Sequence, residues 1–323
     1  MAEYIATFPA GFAPVVEAEL EKALPDCRIL HLYEALVHFR HGASPEALRR
    51  LIFFNNVFYV MKAYKEPGSF DAMVREASAG AVPPLVRKGT VRVRFSDAGR
   101  FASVPAEVMK LAEQKVLSRT MLTIDRLSPR TEVWYIRRQE GTGYYAQLLW
   151  HRRVTEKNLA QGALRPEFAY LLCRVIPLQP QDVVCDPFAG SGAIPEQLSR
   201  MVQRVYASDM DPEKAQALKD RLPETVCVQR ADARQLTYLA DGALDAIITD
   251  PPWGLFQTDL DPDQLYSAFL QEARRVLRPE GKLVLLTARK QELEQLAQAS
   301  AWHIERHIDT LVNGKKATVF ILV

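Results

Sequence analysis

The apolar positions of this 323-residue chain switch repeatedly between a period of two and a period near 3.6, so the pattern predicts alternating strands and helices. Residues 4–8 predict a short strand, and the Pro9-to-Pro14 turn leads into a helix over 15–24. There Val16, Leu20 and Leu24 share one face while Glu17, Glu19 and Glu21 stay outside. Residues 28–39 alternate as strands do. Ser44-Pro45 caps and starts a helix running to 53. A strand over 57–64 and a helix over 70–80, closed by Gly80, follow. Residues 90–95 alternate throughout, with Val91, Val93 and Phe95 on one side and Arg92 and Arg94 on the other. A helix over 105–118 and strands over 132–137 and 144–149 complete the first half.

The second half has a different rhythm. Short strands, the first of them β-branched, are predicted at 183–185, 205–209, 226–229, 244–250 and 282–287, separated by helical stretches, among them 193–200, 262–277 and one reaching 298. Strands alternating with helices predict a parallel sheet of the α/β class. Asn313-Gly314 between two last strands predicts a type I′ hairpin. An antiparallel hairpin at the end of a parallel sheet argues against a hydride-transfer fold.

Charge sharpens this division. The net charge is only +2, yet residues 87–157 carry 15 Lys/Arg against 7 Asp/Glu, whereas 1–86 and 158–323 are both acidic overall. A basic middle segment points to a polyanion partner. Arg92, Arg94, Arg137, Arg138, Arg152 and Arg153 are its candidate residues for contacting that polyanion. The four cysteines are scattered without a C-x-x-C pair, so no metal site is expected, and reduced thiols in a cytoplasmic protein are. No apolar stretch approaches a membrane span and the first residues lack a signal-peptide pattern.

The candidate chemistry begins at 182–192, Asp-Val-Val-Cys-Asp-Pro-Phe-Ala-Gly-Ser-Gly. A strand stops at Asp186-Pro187, and Gly190, Ser191 and Gly192 turn the chain into a helix. Glycines there let a ligand approach the backbone. The third glycine of a dinucleotide fingerprint is replaced by Pro195, and the Lys-Ser/Thr of a Walker loop is absent. Asp186 would repel a pyrophosphate and attract the ammonium of a methionine-type ligand. Two further strands end in acids: Asp209, placed to take ribose hydroxyls, and Asp232, placed to accept from an adenine amino group. A fourth strand delivers Asp250-Pro251-Pro252-Trp253-Gly254. A carboxylate and a backbone carbonyl can accept the two N–H bonds of an aromatic amine and steer its lone pair outward. The prolines hold that carbonyl rigid, and Trp253 can stack on the base.

These motifs resemble those of class I S-adenosylmethionine-dependent RNA methyltransferases. Asp-Pro-Phe-Ala-Gly-Ser-Gly resembles their cofactor loop, and Asp-Pro-Pro-Trp their amino-methyltransferase motif. Residues 164–175 resemble the helix that precedes that loop. The order of elements in the first half, opening on 8–20, resembles a ferredoxin-like unit followed by a THUMP RNA-binding domain. The resemblance implies a ferredoxin-like region at 1–86, a THUMP-like region at 87–157 and a methyltransferase domain at 158–323 with a seven-stranded Rossmann-like sheet. It implies S-adenosylmethionine as cofactor, held by Asp186, Pro187, Phe188, Ala189, Gly190, Ser191, Gly192, Asp209, Met210, Asp232, Ala233 and Asp250. Asp250, Pro251, Pro252 and Trp253 would be catalytic. Guanine N2 of tRNA is the implied target, with adenine N6 of a nucleic acid as the enzymatic alternative and a non-catalytic RNA-binding protein as the other.

Overall fold

A computed structural model describes residues 1–42, 44–151, 163–254 and 261–323. The chain divides into two compact units: Met1–Phe8 with Glu17–Arg152, and Pro9–Val16 with Arg153–Val323.

The first unit is built on one sheet. In chain order its elements are β1 (Ala2–Thr7), α1 (Ala13–Ala23, whose first turn belongs to the second unit), β2 (Arg28–Tyr33), β3 (Leu36–His41), α2 (Pro45–Arg49) and β4 (Asn56–Lys65). Then come α3 (Phe70–Glu76), β5 (Lys88–Asp97), β6 (Arg100–Phe101), α4 (Ala106–Leu117), β7 (Met121–Ile124), β8 (Thr131–Arg137) and β9 (Thr142–His151). The strands run in the order β2-β3-β1-β4-β9-β8-β5-β6, with β7 parallel to β5. β4 pairs with β9 from Asn56↔His151 to Lys65↔Thr142, so hydrogen bonding continues between the segments before and after residue 86. The alternation at 90–95 is realised: Val91, Val93 and Phe95 enter a core with Met73, Val108, Ala112 and Tyr135, beneath α3 and α4.

One expectation here gives way to packing. The helix starting at Ser44 stops at Arg49, although the Ser44 hydroxyl does cap Ala47 N at 3.4 Å. Leu51, Phe53 and Phe54 are buried within four residues, and Phe53 packs on Phe54 at 4.5 Å. No helix face can bury so close a run, and burial outweighs propensity. The short strands β6 and β7 are not legible in the sequence, because each is defined by its pairing with the distant β5 and not by a local pattern.

The second unit contains α5 (Pro166–Cys173), β10 (Val183–Asp186), α6 (Ala193–Leu198), β11 (Arg204–Asp209), α7 (Pro212–Arg221), β12 (Val226–Arg230), β13 (Leu244–Thr249), α8 (Pro262–Val276), β14 (Leu277–Thr287), α9 (Lys290–Ala299), β15 (Ile304–Val312) and β16 (Lys315–Leu322). Its seven strands run β12-β11-β10-β13-β14-β16-β15. The first five are parallel, and β16 is antiparallel to both β14 and β15. This is the class I methyltransferase fold, hairpin included. Asn313 and Gly314 have φ of 51° and 77°, as a type I′ turn requires. Strand order reverses at β10, which lies between β11 and β13. That switch point opens a crevice at the carboxyl ends of the strands.

The central strands read as apolar runs because both faces are covered. Leu265, Phe269, Ala273 and Val276 of α8 share one core with Leu283, Leu285 and Phe320. From the chain's beginning, the Ala10 carbonyl accepts from Thr310 Oγ1 at 2.7 Å, and Phe12 meets Phe168 edge-on at 5.2 Å. The sequence pattern places a turn at 278–281, whereas the strand begins at Leu277. Leu277 pairs with Leu244 and Lys282 with Ala246, so 278–281 bulge out of the ladder. A bulge frees Pro279 from donating to a neighbour.

Candidate functional site

Four strand ends carry the site: Asp186 on β10, Asp209 on β11, the residues just after β12, and Asp250 just after β13. Asp186 is 1% exposed. Its Oδ1 accepts from Thr249 Oγ1 at 2.6 Å and from Phe188 N at 3.2 Å. Burial pushes its carboxyl up to about 7, against those two hydrogen bonds and with the Asp209 charge adding to the rise.

The loop after Asp186 is held from the next strand. Gly190 N donates to Asp209 Oδ2 at 3.0 Å, Asp211 N donates to Asp209 Oδ1 at 3.0 Å, and Ala189 N donates to the Ser208 carbonyl at 2.9 Å. Gly192, the N-cap of α6, has φ of 78°, and a Cβ there would lie 2.6 Å from Leu218 Cδ2 and would run into Arg221 Nη2. Only glycine fits this left-handed position. Gly192→Ala should lower the unfolding free energy by about 1–2 kcal/mol, measured by urea denaturation, and should weaken cofactor binding by displacing the loop.

Asp232 and Ala233 follow β12. Asp232 receives Arg234 Nε at 3.0 Å and Nη2 at 2.6 Å, and this pairing holds its carboxyl below the usual aspartate range. Met210, 63% exposed, follows Asp209 directly in the chain. The Asp-Pro-Pro-Trp turn leaves β13 with Pro251 buried and Pro252, Trp253 and Gly254 partly exposed. Trp253 Nε1 donates to Asp250 Oδ1 at 2.9 Å. Beyond the stacking role that its ring suggests, the indole thus orients the carboxylate. Burial raises the Asp250 carboxyl well above its ordinary value despite this bond, and the nearby Asp186 charge raises it further.

No lysine or arginine among the described residues pairs with Asp186, Asp209 or Asp250. A cluster of carboxylates without cations, two of them holding protons more tightly than usual, suits a ligand that brings positive charge. S-adenosylmethionine has an ammonium and a sulfonium, so the donor set fits it. Asp186 and the 187–192 loop would hold its methionine end, Asp209 its ribose, and Met210, Asp232 and Ala233 its adenine. The described residues contain no group of three or more candidate metal ligands.

Sequence reasoning missed Thr249, which fixes Asp186 from the neighbouring strand. It also missed Tyr238, whose hydroxyl donates to Ser208 Oγ at 3.1 Å beneath the loop. Thr249 had a usable signal, since it immediately precedes the strand-end acid. Tyr238 had none, because its contact depends on the path of the loop after β12.

Arg92, Arg94, Arg137 and Arg138, four of the arginines expected to contact RNA, lie in the first unit. Arg92 forms an ion pair with Glu132, and Arg94 reaches the same carboxylate at 3.3 Å. Arg137 stands 3.5 Å from Asp97, and Arg138 donates to Glu140 at 2.8 Å. These pairs moderate the basic stripe. Arg152 and Arg153 lie outside the described residues.

Comparison with known proteins bears on the fold and on the class of enzyme. Residues 195–316 match the model of the RMKL-like methyltransferase domain. The chain is 28% identical over 228 residues to the tRNA (guanine(6)-N2)-methyltransferase of Thermus thermophilus, covering 68% of each. It is 29% identical over 141 residues to the tRNA (guanine(10)-N2)-dimethyltransferase of Methanothermobacter thermautotrophicus, which covers 42% of this chain and 41% of that protein. The chain thus spans about two fifths of the length of the latter relative. The crystal structure of TrmN from Thermus thermophilus superposes with a TM-score of 0.81 at 24% identity, over 100% of this chain and 99% of that one. Residues 195–316 are thus similar to an RMKL-like methyltransferase domain, and the second unit carries the class I methyltransferase fold.

Proposed function

We propose that this protein is an S-adenosylmethionine-dependent RNA methyltransferase that methylates an exocyclic base amine, with guanine N2 of tRNA as its target. The observation that carries the reading is the convergence of Asp186, Asp209 and Asp250 at one sheet edge, without cationic partners among the described residues, beside a rigid Pro-Pro-Trp turn. The relatives' names supply the base and the RNA class.

The cofactor supplies an electrophilic methyl group. The chain's own residues prepare the amine. Asp250 accepts one N–H of the base, and the Pro251 carbonyl accepts the other. Both interactions draw the nitrogen lone pair out of the ring. Trp253 keeps the carboxylate oriented and flanks the base. Placement then does most of the work, because aligning two bound reactants removes much of the entropic barrier. The methylated nitrogen is strongly acidic, so its proton leaves without a strong base. Arg92, Arg94, Arg137 and Arg138 contribute positive potential for RNA at the first unit, a cytoplasmic location suits the substrate, and no described helix is long and apolar enough to cross a membrane.

Labelled methyl transfer to unmodified bulk tRNA, followed by nucleoside mass spectrometry, tests this reading. N2-methylguanosine is the expected product. N6-methyladenosine would correct the base, and absence of transfer to any RNA would overturn the assignment.

A further inference from the structure

Phe101, on the two-residue edge strand β6, is 69% exposed. A lone exposed phenylalanine needs no explanation. This one is not alone. Its ring lies 5.4 Å from the Trp134 ring, inclined by 35°. The Arg94 guanidinium sits 4.6 Å from the Phe101 ring centre and 5.9 Å from that of Trp134. Phe58 closes the far side of Trp134, edge-on at 5.5 Å.

The group is held in one geometry. Trp134 Nε1 donates to Glu132 Oε2 at 2.8 Å, Arg94 Nε reaches Glu132 Oε1 at 3.4 Å, and Arg92 pairs with that same oxygen. Burial raises the Glu132 carboxyl, but the bonds from Arg92, Arg94 and Trp134 outweigh it and keep the carboxylate ionised. Arg94 therefore remains fixed against the aromatic pair.

We propose that Phe101, backed by Arg94 and Trp134, is a stacking platform for an unpaired nucleobase of the RNA substrate. This rests on the reading of the protein as an RNA methyltransferase and names which part of the RNA this edge engages. Three features favour a base over an apolar protein side chain. The platform carries a cation within it, and a guanidinium beside the rings strengthens stacking with an electron-rich base. The segment 87–157 has 15 Lys/Arg against 7 Asp/Glu, which suits the phosphates on either side of a base. The ring lies on the last strand of the sheet path, so a base can approach it without displacing the chain. The base must be unpaired, because in a duplex both faces of a base are covered by its neighbours.

The test uses the full chain and three RNA probes of equal length: a single strand, the same strand with abasic sites, and a duplex. Binding is read by fluorescence anisotropy. Phe101→Ala should weaken single-strand binding about tenfold, Phe101→Tyr should restore it, and neither should change duplex binding. The wild-type chain should lose a similar factor on the abasic strand. The salt dependence of Phe101→Ala should match wild type, because no phosphate contact is removed. Equal affinity of wild type and Phe101→Ala for the intact strand would overturn the platform, as would an equal loss on the duplex. Methyl transfer to tRNA separates the two claims: transfer that proceeds while Phe101 proves immaterial removes the platform alone, whereas a chain that binds no RNA removes both.

Discussion

Asp250→Asn should reduce kcat for methyl transfer by about a hundredfold or more while changing cofactor affinity far less, by under about tenfold. The magnitude follows from losing one preorganised charged partner at the reacting centre. The asparagine keeps the shape and can still accept from Trp253 Nε1, which donates to Asp250 at 2.9 Å. It cannot offer a second negative oxygen to an amine N–H. Single-turnover kinetics with labelled cofactor, beside cofactor titration of the same variant, measure both quantities. Equal losses in kcat and in cofactor affinity would instead assign Asp250 to cofactor binding. A companion variant, Trp253→Phe, keeps the stacking surface and removes the donor. The bond from Trp253 pulls the Asp250 carboxyl down against burial, so its loss should move the acid limb of the pH–kcat profile to higher pH.

Cofactor affinity should rise with pH through about 7, and Asp186→Asn should abolish that rise. The folded Asp186 carboxyl titrates at about 7, against an ordinary 3.8, chiefly because it is buried. A cationic ligand prefers the ionised carboxylate, so binding releases a proton below that value and becomes independent of this group above it. At pH 8 the variant should bind the cofactor about 10- to 100-fold more weakly, the size of a lost charge-assisted contact. Isothermal titration in buffers of different ionisation enthalpy gives both the affinity and the proton release. The unliganded protein shows the other side of the linkage. The folded chain holds this proton more tightly than the unfolded one, so stability falls as pH rises from about 4 to about 7, by at most about 1.4 kcal/mol per unit from this group. Asp186→Asn should flatten that slope in denaturant melts. A slope unchanged in the variant would mean that Asp186 is ionised throughout.

Both residues can be picked out of the amino-acid sequence, and the reason lies in how strands are ordered. Asp186, Asp209 and Asp250 each end a short predicted strand, and parallel strands bring their carboxyl ends to one edge whatever the side-chain detail. Local sequence thus sufficed for the strand–turn–helix at 183–198, the turn after β13, the Asn313-Gly314 hairpin and the alternating faces of β5. The division of the first half at residue 86 is a different matter. It rests on a charge shift and on resemblance, and the sheet pairs β4 with β9 across it.

The chemistry available at each strand end is therefore written in the chain, because covalent spacing and the parallel α/β order dictate it. Which partner each of those groups meets is settled by packing. Glu132 lies 38 residues from Arg94 and neutralises part of a stripe that looked wholly basic. Thr249 lies 63 residues from Asp186 and holds it. Trp253 lies only three residues from Asp250, yet the turn's geometry makes it a donor to that carboxylate as well as an aromatic surface. Hydrogen bonds and ion pairs depend on distances of a few ångströms and on burial, and neither quantity is defined until distant segments have packed.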